Sequence, residues 1–92
     1  MTLRHLQIFV QVYQCQSITK AAKKLYMAQP AVSLAIKELE EHYQILLFER
    51  MNRKIYPTKV ADKFYDYASS ILSLYHTMEE DILDYEKFEE NE

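Results

Sequence analysis

Apolar positions in the first third of the chain recur with a helical period. Leu6, Phe9, Val10 and Tyr13 stand at i, i+3, i+4 and i+7 and so share one helical face. Thr2, just ahead of them, offers a hydroxyl that accepts from the free N–H groups of a first turn. The polar run Gln14-Cys15-Gln16-Ser17 breaks the pattern. Ser17 or Thr19 then suits the cap of a second helix, Lys20 to about Tyr26, with Ala21, Ala22 and Leu25 inward. The two adjacent alanines let another helix approach closely. Met27-Ala28-Gln29 is long enough only for a turn. Pro30 fits a helix's first turn, where its absent N–H would have no partner anyway. A third helix is therefore predicted from Pro30 to His42, with Val32, Ile36 and Leu39 facing in. Ser33, Leu34, Lys37 and Glu40 or Glu41 lie elsewhere on its circumference.

The rhythm changes near residue 46. Leu46-Leu47-Phe48-Glu49-Arg50 and Arg53-Lys54-Ile55-Tyr56 read as two short strands around Met51-Asn52, where Asn52 tolerates a left-handed turn. Pro57 ends the second strand, and Thr58 is a suitable cap for a long fourth helix, Lys59 to Tyr85. Val60, Phe64, Tyr67, Ile71, Leu74, Met78, Ile82 and Tyr85 are spaced by 4, 3, 4, 3, 4, 4 and 3, a heptad-like seam with one slip. One domain of 92 residues can hardly bury all of that seam, so its natural partner is another chain. The tail from Lys87 to Glu92 is acidic overall and is expected to fray.

Composition sharpens this plan. The chain holds no Gly and only two Pro, which favours helices joined by short connections. Its one cysteine, Cys15, has no internal disulfide partner and no metal-spaced neighbour, which fits a reducing compartment and a small, partly buried side chain. No apolar stretch approaches the roughly 20 residues of a membrane span, and the N-terminus lacks a secretory layout. The expected location is the cytoplasm, with no membrane partner.

The net charge of -3 conceals two opposed halves. Residues 1–59 carry nine Lys and Arg against four Glu, a charge of +5; residues 60–92 carry two Lys against ten acids, a charge of -8. A basic half joined to an acidic half suits a polyanion-binding module attached to an element that the polyanion repels.

Helix, helix, short turn, helix and basic hairpin, in that order, make a winged helix-turn-helix, mainly α, followed by a long dimerisation helix. The expected division is 1–58 for the DNA-binding domain, 59–86 for the linker helix and 87–92 for the tail. A recognition helix fits the major groove and presents its first turns to base edges. Gln29 can bond bidentately to adenine, Ser33 to a base or phosphate, and Pro30 fixes how the helix begins. Lys37, one turn on, reaches toward the backbone or pairs with Glu40 or Glu41. Arg50, Arg53 and Lys54 on the hairpin suit the flanking phosphates or the minor groove, and Lys20 is a further backbone candidate.

These residues resemble the N-terminal domain of LysR-type transcriptional regulators. The likeness lies in Leu3-Arg4-His5-Leu6 with Phe9; Ser17-Ile18-Thr19-Lys20-Ala21-Ala22 with Leu25; Gln29-Pro30-Ala31-Val32-Ser33; Ile36 with Leu39-Glu40; and Leu46-Leu47-Phe48-Glu49-Arg50 with Arg53 and Thr58. It covers about residues 1 to 85. It implies a homodimer paired through the linker helix, binding partly palindromic promoter sites, with Gln29, Pro30 and Ser33 at the major groove and Arg50 and Arg53 at the wing. RNA polymerase is a partner that such a role implies. A small-molecule effector would act only through a C-terminal domain absent from this chain, which reads as a fragment. Two departures stand out. Leu34 occupies a recognition-helix position that is often basic in the family, and Gln44, Met51-Asn52 and Ala61 stand where glycine is frequent, which predicts a differently shaped wing tip. N-terminal domains of molybdate-responsive regulators share a similar fold and are told apart by their C-terminal domain.

The expected dimer interface is Val60, Phe64, Tyr67, Ile71, Leu74, Met78 and Ile82. The aromatic stripe Phe64, Tyr67 and Tyr75 lies in the acidic half, which favours dimer packing over base stacking. The alternative is a protein-interaction or antagonist module whose long helix forms a coiled coil with a different protein, without sequence readout. His5, His42 and His76 are far apart on different predicted helices. No catalytic constellation, metal site or cofactor is expected.

Overall fold

The computed structural model describes residues 1–90, in which four helices and one hairpin follow one another. They are α1 (Leu3–Cys15), α2 (Ile18–Leu25), α3 (Gln29–Tyr43), β1 (Phe48–Met51), β2 (Lys54–Pro57) and α4 (Lys59–Glu90). The fold is a winged helix-turn-helix carried on a long C-terminal helix. Among the described residues no helix is long and apolar enough to cross a membrane.

Three of the four helix starts follow from a side-chain cap. Thr2 accepts from the His5 N–H at 3.4 Å. The Thr2 N–H donates back to His5 Nδ1 at 3.2 Å. This is a capping box with histidine in the usual Glu or Gln role. Because Nδ1 accepts, the other ring nitrogen carries the proton and donates to Glu38 at 3.1 Å, tying the start of α1 to α3. Ser17 accepts from the Lys20 N–H, so Ser17 and not Thr19 is the cap, and α2 begins at Ile18, two residues before Lys20. Thr58 caps α4 through the Ala61 N–H while donating to the Leu46 carbonyl at 2.7 Å. One threonine thus starts α4 and pins it to the strand approach.

The core is one cluster around α1, which touches α2, α3 and α4. Phe9 is fully buried at its centre, meeting Phe64 of α4 edge-on at 4.8 Å and Phe48 of β1 at 5.6 Å. Val32, Ile36 and Leu39 face inward as expected, joined by Ala35. The buried alanines Ala61 and Ala68 of α4 belong to the same cluster, so the core of the head extends past residue 58. No Gly or Pro interrupts the chain between Lys59 and Glu90, and α4 accordingly runs beyond Lys87, where fraying was expected. Asn91 and Glu92 lie outside the described residues.

The hairpin is shorter and differently centred than its sequence suggests. Leu46 and Leu47 precede β1. The Leu47 and Phe48 N–H groups donate to the Glu40 carboxylate at 2.7 and 3.3 Å. Pairing joins Met51 to Lys54 and Arg50 to Ile55, leaving Asn52-Arg53 as a two-residue turn. Both turn residues have positive φ, 51° and 64°, as a type I′ turn demands. Arg53 therefore stands at the wing tip and not in the second strand, because only that turn matches the twist of the strands it joins.

Candidate nucleic-acid interface

Two exposed surfaces carry the candidate residues. The first is the outer face of α3. At about 100° per residue, Pro30, Leu34 and Lys37 fall on one side of the helix, opposite the buried Val32, Ala35, Ile36 and Leu39. Gln29, Pro30, Leu34 and Lys37 are exposed, and Ser33 is half-buried at the edge of that face. No side chain caps α3: Ala28 occupies the N-cap, and Gln29 and Pro30 form the first turn. Pro30 has no N–H and the Ala31 N–H donates to the Ala28 carbonyl at 3.1 Å, while the exposed first turn carries the positive end of the helix dipole.

The second surface is concave. A hollow of about 430 Å³ opens between the start of α2 and the hairpin, and its lining includes Lys20, Arg50, Arg53 and Lys54 together with the α2 cap Ser17. Four cations separated by up to 34 positions in sequence are gathered there. Among the described residues none of them forms an ion pair; the two close ion-pair contacts both use histidine, His5 with Glu38 and His76 with Glu80. Lys37 is likewise without a carboxylate partner among those residues. The Glu40 carboxylate instead holds the Leu47 and Phe48 N–H groups. Four like charges around one hollow repel one another, so the arrangement favours an anion between them.

Eight of these nine side chains are exposed, and Ser33 is half-buried. The sequence did not foretell that Lys20 would join the hairpin cations, since no local pattern relates α2 to the wing. The N-cap signal of Ser17 was the available clue, because it fixes where α2 begins and hence where Lys20 sits.

The seam on α4 divides in two. Phe64 is half-buried against Phe9 and Tyr43, so much of its ring serves the chain's own core and not an interface. Val60, Tyr67, Ile71, Leu74, Met78 and Ile82 are exposed, with Leu74 at 71%. Ala61, Tyr65, Ala68 and Leu72 form the face that packs onto the head. At the junction the Tyr13 hydroxyl donates to Asp62 at 2.6 Å, and the Tyr13 ring stacks on Tyr65 at 4.1 Å. The hydrogen bond to Asp62, aided by burial and by the carboxylate's charge, pushes the Tyr13 phenol up to about 12.

The family model described as bacterial regulatory helix-turn-helix protein, lysR family, matches residues 3–62. The chain belongs to the LysR family. It is 49% identical over 73 residues to the HTH-type transcriptional regulator BenM of Acinetobacter baylyi, spanning 79% of this chain and 24% of BenM. It is 43% identical over 72 residues to the HTH-type transcriptional regulator CfxR of Cupriavidus necator, spanning 78% of this chain and 23% of CfxR. The chain thus covers about a quarter of the length of these curated relatives. The crystal structure of the BenM DNA-binding domain in complex with catB site 1 DNA superposes with a TM-score of 0.81 at 47% identity, covering 85% of this chain and 88% of that one. The DNA-binding domain of CbnR, also solved with DNA, gives 0.83 at 30% identity over 87% and 92%.

Proposed function

We propose that this LysR-family chain is the sequence-reading part of a cytoplasmic transcription regulator that binds double-stranded DNA as a homodimer. The observation that carries the reading is the pairing of an outward, uncapped α3 face with a hollow of four cations that have no acidic partner among the described residues. The α3 face enters the major groove, where Gln29 and Ser33 meet base edges beside Pro30, Leu34 and Lys37. Arg50, Arg53 and Lys54 on the wing, with Lys20, hold the flanking phosphates. Pairing of two chains through Val60, Tyr67, Ile71, Leu74, Met78 and Ile82 gives the two-fold symmetry that a partly palindromic site mirrors. The BenM and CbnR domains, solved with DNA, support this use of the shared fold. RNA polymerase is the partner such a regulator addresses, and small-molecule control belongs to a domain outside this chain.

Selection from a random duplex pool, followed by binding of the winner and a scrambled duplex across a salt series, tests the reading. The expected winner is two-fold symmetric and preferred at least about tenfold, or about 1.4 kcal/mol. Binding should also weaken steeply with salt as phosphates are neutralised. Equal, weak binding to both duplexes sinks the base-reading role. A monomer at micromolar concentration would favour a heterologous partner for α4.

A further inference from the structure

One large aliphatic side chain of α3 lies exposed on its outer face. Leu34 is 56% exposed, whereas the other large aliphatic residues of α3, Val32, Ile36 and Leu39, are at most 5% exposed. It stands one turn after Pro30 and three positions after Ala31, both also exposed, so the three form an apolar spot on the outer side of the helix. The polar or cationic residues Gln29, Ser33 and Lys37 border it. A leucine left in water at the centre of a polar face lowers free energy only where it meets another apolar group. The major-groove edges of the four bases display one such group, the C5 methyl of thymine.

We propose that Leu34 is a specificity residue that packs against a thymine methyl, so that each half-site carries a thymine opposite the second turn of α3. The proposal rests on the reading of α3 as the major-groove helix. It gives this chain an apolar element of readout beside the hydrogen bonds of Gln29 and Ser33, and it ties one base to one residue.

Replacing each thymine of the selected duplex in turn by deoxyuridine removes the methyl and leaves every hydrogen-bonding group in place. Binding of the native chain and of Leu34→Ala is then compared on each duplex. Alanine at this exposed helical position favours the helix, so the variant folds, as circular dichroism would verify. One thymine per half-site should matter. Its exchange weakens the native chain about fourfold, the worth of one methyl withdrawn from water, and leaves Leu34→Ala unaffected. Indifference of the native chain to every exchange overturns the proposal. So does a thymine preference that survives unchanged in Leu34→Ala, which would move the contact to Pro30 or Ala31. Both results leave selection of a symmetric duplex standing, whereas failure to select any duplex would overturn the groove reading together with this one.

Discussion

The head of the molecule and the projecting part of α4 are incomplete in opposite senses. In the head, from Leu3 to Leu72, most large apolar residues are buried or half-buried, and the cations of the hollow between α2 and the wing lack acidic partners among the described residues. From Ser73 to Tyr85 every residue is exposed, including Leu74, Met78, Ile82 and Leu83, and the charged groups are Glu79, Glu80, Asp81 and Asp84. The head presents cations that an anion would neutralise; the arm presents apolar side chains that another apolar surface would cover. The two needs call for different partners, and the opposite charges keep each partner in its place: a polyanion attracted to the head is repelled by the arm.

Substitutions can break the comparison in order of size. Phe9→Ala should cost the head about 4 kcal/mol, because its ring joins α1, β1 and α4 in one buried contact. Denaturant unfolding measures this, and a loss below about 1 kcal/mol would show that the head's core lies elsewhere. Leu74→Asp should weaken self-association at least about tenfold by placing a charge in an apolar seam. Sedimentation should then show single chains, with the head's melting unchanged. Unaltered association would move the interface off this face.

Smaller effects sharpen the same contrast. Arg53→Ala should weaken binding to all duplexes about equally and lower the logarithmic salt slope by about one. A loss confined to the selected duplex would make Arg53 a base reader. Tyr26→Gly should stabilise the head by about 0.5 kcal/mol, since Tyr26 holds a left-handed φ of 55° while its side chain, 96% exposed, packs against little. A drop in the unfolding midpoint would reveal a contact made by that ring.

The contact between α1 and the start of α4 should respond to alkali. The folded chain keeps the Tyr13 proton up to about pH 12, while the unfolded chain releases it at 10.0. The contact with Asp62 therefore contributes fully below pH 10 and loses its contribution as the pH rises toward 12. The advantage of the native chain over Tyr13→Phe in urea midpoint should shrink across that interval. A constant advantage would rule out the hydrogen bond as its source.

Much of this was legible beforehand, and the exceptions share a cause. Thr2, Ser17 and Thr58 cap helices because capping is local, and Val32, Ile36 and Leu39 face inward because one stripe suffices where a helix packs on one side. Ile8 and Val12 escaped notice because α1 is enclosed on several sides, which widens its buried face beyond a periodic stripe. The strand at Leu46-Leu47 was lost to Glu40, a carboxylate seven residues upstream of Leu47 that takes up the backbone donors. Arg53 adopts a left-handed conformation because turn geometry overrides the residue's own preference. Among the site residues, exposure could be read from helical phase, but the meeting of Lys20 with Arg50, Arg53 and Lys54 exists only in three dimensions.

The unbroken run of α4 through the core and out of it makes the helix a lever. Ala68 is the last buried residue of α4 among those whose burial is described, and from there to Glu90 extends about 33 Å of helix at 1.5 Å per residue. A change of tilt of about 10° at the α1 contact sweeps the far end through about 6 Å, close to two base-pair steps. Conversely, in the proposed dimer a two-fold clasp on the arm would hold the spacing of the two heads to within small angles. Angular play at one tyrosine–aspartate contact is thereby geared into distance along a duplex.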